Sequence, residues 1–330
     1  MVTMSDIAKA AGVSQQTVSA VLNGRKHCYA SDATRKNILD AVAKLGYIPN
    51  QIARSLRGMP SGVIGIIDAI TDVEIHNELV SLISSKLWQK GFRVMLCDSG
   101  GDPGREENIL KEFISWNVEG VIYYNFNEDL PKSGYLSRIP HVFISFSEGE
   151  NVVAVDRRKG GQMVARHLIE CHGHDKIAFI TTELYGSAGK YKGFLDAATG
   201  LKFNKRHFLV DEPDMEKLLS RTLQLHKKSG VTAFFASNDY LAAFIMRSFI
   251  DMGIRIPDDV AVIGFDGLGY GEFLRPSLTT VRQPVEKIAD IAVATLVKKI
   301  KSKDKSVKSK NCLLVPELLI RESCGCGKGK

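Results

Sequence analysis

From residue 62 onward, short apolar segments alternate with longer amphipathic ones, and this alternation restricts the fold more than any other feature of the chain. The apolar segments have the length of buried strands, and the segments between them are long enough for helices. Parallel strands need such crossovers, because the chain must return to the same end of the sheet before the next strand begins. We therefore expect parallel sheets with helices on both faces.

The alternation can be divided into individual elements. Strands are predicted at Val63–Ile67, Arg93–Cys97, Gly120–Tyr124, Val142–Ser145, Lys176–Thr181, Phe208–Val210, Thr232–Ala236 and Val260–Phe265. Helices are predicted near 73–90, 104–116, 157–171, 188–199, 214–228, 238–252 and 285–301. Two such sets indicate two doubly wound lobes. We expect the last helix and the terminal strands to return to the first lobe.

The first 46 residues have a different pattern, typical of three short helices. Thr3 can cap the first helix, with Asp6 three residues later as in a capping box. Ser14 can cap a second helix that runs to about Asn23, and Ser31 a third that ends at Gly46. Apolar residues recur at helical spacing and are expected to face one another: Ile7, Ala8, Ala11, Val18, Val21, Leu22, Ile38, Leu39, Val42 and Leu45.

Charge is unevenly distributed along the chain. The net charge is +7, and residues 1–60 carry eight Lys and Arg side chains against three Asp and no Glu. A second basic stretch, residues 298–310, has seven Lys and one Asp, so the rest of the chain is mildly acidic. A basic head on an acidic body indicates a polyanionic partner for the head. The second stretch lacks aromatic residues and is interpreted as a solvated helix end and loop.

Composition favours a cytoplasmic protein. No apolar run is long enough to span a membrane, and no apolar signal segment precedes the first helix, so export is not expected. The six cysteines are scattered, apart from Cys324-Gly-Cys326, which indicates reduced thiols rather than a disulfide framework.

The head carries a long specific motif. Residues 6–23 read Asp-Ile-Ala-Lys-Ala-Ala-Gly-Val-Ser-Gln-Gln-Thr-Val-Ser-Ala-Val-Leu-Asn, and residues 45–56 read Leu-Gly-Tyr-Ile-Pro-Asn-Gln-Ile-Ala-Arg-Ser-Leu. Both closely resemble the head of the lactose-repressor (LacI/GalR) family of bacterial transcription regulators. Looser matches continue at Gly173-His174, Ser237-Asn-Asp239, Ile263-Gly-Phe-Asp266, 276–281 and 316–323, so the resemblance covers nearly the whole chain.

The resemblance implies a fold and a domain organisation. We expect an all-α helix-turn-helix head over residues 1–46, a hinge helix and linker over 47–60, and an α/β core over 61–330. The core would consist of two doubly wound parallel-sheet lobes of the periplasmic-binding-protein type. Lobe 1 is expected at about 61–158 plus 288–320, and lobe 2 at about 159–287 plus the C-terminal end.

The resemblance also implies that double-stranded operator DNA is the partner of the head. The second helix would enter the major groove, where Gln15, Gln16 and Ala20 meet base edges. Ala20 stands where the family commonly has a larger polar or basic side chain, so one base position is read less directly. Phosphate contacts are expected from small polar side chains, namely Ser14, Thr17, Ser19, Asn23 and Thr34.

The remaining predicted DNA contacts are Thr3, Tyr29 and Tyr47 in the head and Asn50, Ala53 and Leu56 in the hinge. A helix as short as residues 50–57 is marginal in water without a partner. By resemblance, two hinge helices of a homodimer enter the minor groove together, and Leu56 inserts between base pairs. A tetramer stays possible on sequence grounds, and an ordinary core contact for Leu56 is the alternative.

A small-molecule effector is expected between the lobes, at the carboxyl ends of the strands. The positions that match the family are Lys190, Asn238 and Asp266. Lys190 replaces the usual Arg and loses its planar fork. The family's Asn-Pro-Phe-Phe-like segment is replaced by residues 73–76, which removes an aromatic sugar platform and argues against a plain hexose. Asp156 is either a further ligand or a helix cap.

Other chemistry is weakly indicated. His172 and His174 flank Gly173 beside Cys171, a spacing too tight for a usual zinc site, and we interpret it as a structural loop. Cys324-Gly-Cys326 is interpreted as a disordered end. No P-loop, GxSxG or HExxH motif occurs, so neither a cofactor nor a metal is predicted. An enzyme with Asp266 and Lys190 as acid and base lacks a nucleophile, and a solute-binding transport protein would not need the head.

Overall fold

The computed structural model describes residues 2–23, 30–48, 59–68, 74–125, 133–145, 150–201, 206–302 and 311–326. The chain divides into two compact units, Met1–Ser61 and Gly62–Lys330. We call the first unit the head and the second the core. None of the described helices is both long and apolar enough to cross a membrane.

The described residues of the head form three helices, α1 Met4–Ala11, α2 Gln15–Leu22 and α3 Asp32–Leu45. Their N-caps are the predicted ones, because Thr3, Ser14 and Ser31 each accept a hydrogen bond from the backbone N–H three residues later. Gly12 and Gly46 end α1 and α3 in the left-handed region, with φ values of 67° and 64°. Glycine adopts this conformation without the penalty that a Cβ imposes.

The core of the head is smaller than the sequence pattern indicates. Its fully or nearly fully buried members are Ile7, Ala8, Val18, Val21, Ile38 and Ala41. Leu39 and Leu45 were predicted to face this core, but they are 50% and 37% exposed. The stripe of α3 that packs inward runs through Ile38 and Ala41, since these residues lie on the face that meets α1 and α2.

The core unit contains two six-stranded sheets. The strands are β1 Val63–Asp68, β2 Arg93–Asp98, β3 Gly120–Asn125, β4 His141–Ser145, β5 Val152–Val155, β6 Lys176–Thr181, β7 Arg206–Asp211, β8 Ala233–Ala236, β9 Ala261–Asp266, β10 Thr279–Arg282, β11 Cys312–Leu314 and β12 Glu317–Leu319. The sheet orders are β11-β5-β4-β3-β1-β2 and β12-β10-β9-β8-β6-β7. All pairs are parallel except β10 with β12, which is antiparallel.

In the part of the core that the structure describes, seven α-helices cover the two sheets. They are α4 Glu74–Gln89, α5 Pro103–Ser115, α6 Arg157–Arg166, α7 Leu184–Gly200, α8 Met215–Gln224, α9 Asp239–Asp251 and α10 Val285–Lys301. Helices α4 and α10 pack on one face of the first sheet and α5 on the other. Helices α8 and α9 pack on one face of the second sheet, and α6 and α7 on the other. Each lobe therefore has helices on both faces of a parallel sheet, as predicted.

The two lobes share one strand order. In each, the second strand along the chain lies outside the first, and the third, fourth and fifth follow on the other side. This order creates a switch point between the first and third strands, β1 and β3 in lobe 1 and β6 and β8 in lobe 2. Crevices at the carboxyl ends of strands beside a switch point are the usual ligand positions in such sheets.

The C-terminal part of the chain differs from the prediction in two ways. Residues 317–319 were assigned to lobe 1, but β12 joins the second sheet and only β11 joins the first. The crossing falls at residues 315–316 because β12 pairs with the free edge of β10. The prediction of a disordered C-terminal end was also wrong for the residues up to Cys326. Ser323 and Cys324 are buried, and Ser323 donates to the Val262 carbonyl at 2.6 Å.

The contact between α6 and α7 is unusually close because glycine lies at its two tightest points. A Cβ atom on Gly161 would overlap the carbonyl of Lys190, and one on Gly193 would overlap the carbonyl of Arg158. Both obstacles are backbone atoms, so no rotamer change can relieve them. The pair of glycines thus determines how near Lys190 lies to the start of α6.

We expect Gly193→Ala to destabilise the core by about 1–3 kcal/mol, because the added methyl group must push α6 and α7 apart. Gly200→Ala is the matched control, since a Cβ at Gly200 meets nothing within 4 Å. Alanine there should be neutral or slightly stabilising, because it favours the helix over the unfolded chain. Urea unfolding of both variants measures the difference, and equal stabilities would contradict the close-contact interpretation.

Candidate functional site

The first turn of α2 presents two glutamines to solvent. The side chains of Gln15 and Gln16 are exposed and make no hydrogen bond to the described residues. Val18 and Val21 on the opposite side of the same helix are buried in the head core and fix its orientation. Two amide side chains are therefore held at a helix N-terminus with all of their donors and acceptors available to a partner.

The small polar residues around this turn are hydrogen-bonded within the head. The Ser14 hydroxyl accepts from the Thr17 N–H at 3.1 Å, and the two hydroxyls lie 2.9 Å apart. Thr34 pairs with the Ser31 hydroxyl at 2.9 Å. The Asn23 amide donates to the Ser19 carbonyl at 2.7 Å. These groups cap and stiffen the helices, and each hydroxyl keeps a further donor or acceptor position for another contact.

The other residues predicted to contact DNA divide into two groups. Thr3 is exposed, and its hydroxyl both accepts from the Asp6 N–H as the cap of α1 and donates to the Asp6 carboxylate. Ala20 and Tyr47 are half-buried. Tyr29, Asn50, Ala53 and Leu56 lie outside the described residues, as does most of the predicted hinge helix. They remain predictions from the resemblance.

A cavity of about 330 Å³ lies in the core unit, lined by residues from both lobes. Lobe 1 contributes Glu74 at the start of α4, and lobe 2 contributes Thr182, Met215, Asn238, Tyr240, Leu241, Asp266 and Leu268. Its volume is at the lower end of the roughly 300–1,000 Å³ typical of small-molecule pockets. Two of the three predicted effector residues, Asn238 and Asp266, line this cavity.

The third predicted residue, Lys190, lies buried beside Asp266. Its Nζ is 3.9 Å from Asp266 Oδ1, and both side chains are only 6% exposed. Nζ donates to the Ser237 carbonyl at 2.5 Å and lies 4.0 Å from the centre of the Phe265 ring. Gln283 donates to Asp266 Oδ1 at 2.7 Å. The second carboxylate oxygen, Oδ2, accepts no hydrogen bond from the described residues.

Burial weakens both charges of this pair. It lowers the pKa of Lys190 to about 8, and the neighbouring Asp266 carboxylate opposes that shift. Burial likewise raises the pKa of Asp266, against the attraction of Lys190 and the bond from Gln283. The desolvation of each group therefore outweighs an ion pair of this length. A polar ligand that forms a hydrogen bond to either group would recover part of the free energy lost to desolvation.

Asn238 has a structural role as well as a place in the cavity wall. It is the N-cap of α9, and its Oδ1 accepts from the Leu241 N–H at 2.8 Å. The amide Nδ2 makes no hydrogen bond to the described residues and is the group available to a ligand. The capping function thus determines which end of the amide points into the cavity.

Asp239 holds the turn that carries Asp266. Its Oδ2 accepts from the N–H groups of Gly267 and Leu268 at 2.9 and 2.7 Å, and Thr280 donates to its Oδ1 at 2.5 Å. Asp266 itself has a φ of 126°, a backbone conformation that is costly for a residue with a Cβ. Burial, followed by the Asp266 charge, raises the pKa of Asp239 to about 7. This carboxyl therefore fixes the direction of the Asp266 side chain.

Several further groups at the cleft were missed by sequence reasoning. Arg157, at the first position of α6, donates to the Gly186 carbonyl at 2.6 Å. Burial lowers the pKa of Arg157 to about 10, while Tyr124 and Asp266 raise it. The buried hydroxyl of Tyr270 has no hydrogen-bond partner among the described residues. The available signal was position, because Arg157 and Tyr270 both follow closely on the carboxyl end of a strand.

His76 faces these cations from lobe 1. Its ring meets the Tyr124 ring edge-on, with 4.7 Å between centres. Burial lowers the pKa of His76 to about 3, and the nearby charges of Arg157 and Lys190 lower it further. The cleft therefore combines two buried cations, the Asp266 carboxylate, a neutral imidazole and a Tyr ring.

Comparison with known proteins gives a consistent assignment. The family of bacterial regulatory proteins of the lacI type matches residues 3–50, and the periplasmic binding protein-like domain matches residues 165–324. The HTH-type transcriptional repressor PurR of Mannheimia succiniciproducens is 30% identical over 98% of this chain and 98% of its own length. The PurR repressor of Haemophilus influenzae strain PittEE is 31% identical with the same coverage.

This chain belongs to the LacI family of bacterial regulatory proteins. The fold agrees, since a Lac repressor dimer bound to operator and the anti-inducer ONPF has a TM-score of 0.87 at 25% identity, covering 98% of this chain and 99% of that one. A regulator from Alkaliphilus metalliredigens complexed with D-xylulofuranose has a TM-score of 0.67 at 27% identity and covers 80% of this chain and 99% of its own. The resemblance and the fold class predicted from sequence are confirmed.

Membership of the LacI family explains the cleft as a binding site. The relatives are transcriptional repressors, and the predicted absence of an enzymatic function agrees with them. Lys190 and Asp266, the acid and base of the enzyme hypothesis, are instead bonded to Ser237 and Gln283, and Asp266 is the one of the two that lines the cavity. Asp156 caps α6, because its Oδ1 accepts from the Lys159 N–H at 2.7 Å.

His76 should make the core acid-sensitive. Its pKa falls from 6.5 in the unfolded chain to about 3 in the fold, so the unfolded state binds more protons in this pH window. Its contribution to stability is therefore lost as the pH decreases below 6.5, by up to about 1.4 kcal/mol per pH unit. Relative to His76→Gln, wild-type protein should lose urea stability between pH 7 and pH 5. Parallel stability profiles would contradict this assignment.

Proposed function

We propose that this chain binds a pseudo-palindromic operator as a homodimer, represses transcription from it, and responds to a small polar metabolite held between the lobes of its core. The observation that carries the proposal is the cavity wall, where Asp266 Oδ2 and Asn238 Nδ2 have no partner among the described residues. The head of the same chain presents two exposed glutamines, Gln15 and Gln16, which would contact the operator. The site of action would be DNA in the bacterial nucleoid.

The head supplies the chemistry for reading DNA. A glutamine amide can bond bidentately to adenine in the major groove, and Gln15 and Gln16 both lie at the helix end that enters the groove in this class of proteins. Ser14, Thr17, Ser19, Asn23 and Thr34 surround that helix end and would contact phosphates. One head reads only a few base pairs, so two heads related by a twofold axis are needed for a specific site.

The segment between head and core is proposed to complete the interface. By the family resemblance, Asn50, Ala53 and Leu56 of both subunits would form hinge helices in the minor groove, with Leu56 inserted between base pairs. An inserted apolar side chain unstacks and bends DNA. The bend would then be a property of the dimer, because a single short helix is marginal in water.

The cleft supplies the chemistry for the effector. Asp266 Oδ2 can accept from a hydroxyl or an amine, Asn238 Nδ2 can donate, and Lys190 and Arg157 attract an anionic group. The relatives crystallised with D-xylulofuranose and with cellobiose take carbohydrate ligands. We therefore propose a sugar or an anionic sugar derivative. Reciprocal coupling follows: whatever factor this ligand imposes on operator affinity, the operator imposes on ligand affinity.

Operator binding can be tested by selection from random DNA, which should recover a twofold-symmetric motif. Gln16→Ala should relax the preference at one base pair of each half-site, at a cost of about 1–3 kcal/mol for the preferred base. Lys36→Ala is the contrasting variant, because loss of an exposed cation should weaken all sequences alike and reduce the salt dependence. Recovery of no symmetric motif would favour a solute-binding protein instead.

Effector binding can be tested by calorimetric titration with D-xylulose, cellobiose and a sugar phosphate. Asp266→Asn keeps an oxygen that can accept the bond from Gln283, and asparagine tolerates a positive φ. The substitution removes the negative charge. Asn238→Asp keeps the cap of α9 and removes the Nδ2 donor. Each should lower the affinity about tenfold or more while leaving operator binding in the absence of ligand unchanged.

The control for these titrations is Glu272→Gln, an exposed substitution in the same lobe. It should bind the same ligand as strongly as the wild type does. Equal affinities in Asp266→Asn, Asn238→Asp and the wild type would place the effector site elsewhere in the molecule.

A further inference from the structure

Four ligand atoms converge on one point at the far side of lobe 2. They belong to His167 and His172 near the end of α6 and to Cys324 and Cys326 near the C-terminus, and all lie within 4.8 Å of one another. We call these four residues the His-Cys cluster. Nothing in the proposed regulatory function requires it, because the effector cleft is built from other residues.

Four of the six distances between ligand atoms in the His-Cys cluster match those of a tetrahedral metal site, and the other two are no longer than 4.8 Å. The two Nε2 atoms of His167 and His172 are 3.3 Å apart. The distances from a ring Nε2 to a cysteine Sγ are 3.2, 3.3 and 3.7 Å. Zinc bonds of about 2.0–2.1 Å to nitrogen and about 2.3 Å to sulfur place tetrahedral ligands roughly 3.3–3.8 Å apart.

Hydrogen bonds among these four side chains do not account for their arrangement. A histidine ring nitrogen either donates one proton or accepts at one lone pair. His167 Nε2 lies within reach of three other ligand atoms at once, namely His172 Nε2, Cys324 Sγ and Cys326 Sγ. At most one of these three contacts can be a well-directed hydrogen bond, whereas a cation at the centre would satisfy all four lone pairs together.

The local backbone is shaped to present these atoms. Helix α6 continues as a π-helical turn over His167–Cys171, which places His167 and His172 on the same side. Gly325 has a φ of 98°, so the chain reverses between the two cysteines and their sulfurs meet. Ser323 holds this turn, since it donates to the Val262 carbonyl and accepts from the Thr279 N–H at 2.9 Å.

Two neighbouring residues define the limits of the cluster. The Nδ1 atom of His174 bonds to the Thr232 hydroxyl at 2.9 Å, which directs that ring toward β8. Cys171 is exposed and near enough to Cys326 to influence its pKa. Cys171 is therefore the sharpest control, because it has the right chemistry but lies outside the group of converging atoms.

We propose that His167, His172, Cys324 and Cys326 bind one Zn²⁺ ion in a closed tetrahedral site that fastens the C-terminal end of the chain to lobe 2. Two thiolates and two imidazoles are a ligand set typical of structural zinc, which has no position left for water or substrate. His167 and Cys324 are 157 residues apart along the chain, so the ion would link two distant segments.

The first test is metal content and coordination. Protein purified under reducing conditions with added Zn²⁺ should contain one Zn²⁺ per chain by elemental mass spectrometry. After chelation, Co²⁺ should give a thiolate charge-transfer band and intense visible bands of a tetrahedral complex. Cys326→Ser should abolish both signals, and Cys171→Ser and Cys312→Ser should retain them. Loss of the metal in Cys171→Ser with retention in Cys326→Ser would overturn the ligand set, and absence of stoichiometric metal from wild type would overturn the site.

The second test is the fastening. Removal of Zn²⁺ from wild-type protein should lower its Tm by several degrees and increase hydrogen exchange in residues 317–326 and 167–174. The same chelation should leave the Tm of Cys326→Ser unchanged, since that variant has no metal to lose. Equal Tm and equal exchange with and without Zn²⁺ in wild-type protein would show that the ion does not hold the C-terminal segment.

Discussion

The close contact of α6 with α7 is the constraint on which the effector cleft depends. Gly161 allows the carbonyl of Lys190 to approach α6, and Gly193 allows α7 to approach the carbonyl of Arg158. Lys190 and Arg157 therefore reach the cleft from two helices that cannot separate independently. Because interiors are close-packed, any shift of one helix must carry the other along. The positive side of the cleft is thus a property of a rigid helix pair rather than of two separate side chains.

The electrostatics of the cleft follow from that rigidity. Burial lowers the pKa of Lys190 to about 8 and raises the pKa of Asp266, so each charge is less stable than it would be in water. Such a pair contributes little to the stability of the fold, and its geometry at 3.9 Å leaves capacity for further hydrogen bonds. This is the balance expected of groups preorganised for a polar ligand, since the desolvation cost is met during folding rather than during binding.

Local signals were predictable from the sequence, and long-range contacts were not. The caps Thr3, Ser14 and Ser31 were found because a cap depends on residues three positions away. Strands β5 and β10 were missed, and the terminal strands were expected without bounds, since segments of three or four residues carry too little periodicity. Lys190, Asn238 and Asp266 were predicted through the family resemblance, and the structure brings them to one cleft. Arg157 and His76 were missed because their partners lie far apart in the chain. His172 and Cys324-Gly-Cys326 were interpreted separately, as a loop and a disordered end, because the contact between them is long-range.

The C-terminal crossing links lobe 1 to the segment that carries Cys324 and Cys326. The chain passes between the lobes three times, after β5, after β10 and between β11 and β12. Motions between lobes are absorbed at such short connections, because the elements on either side are packed. At the third crossing, β11 and β12 belong to different sheets with only Val315 and Pro316 between them. A fastening at Cys324 would hold β12 to lobe 2, so that this crossing must bend at residues 315–316 when the lobes close on a ligand.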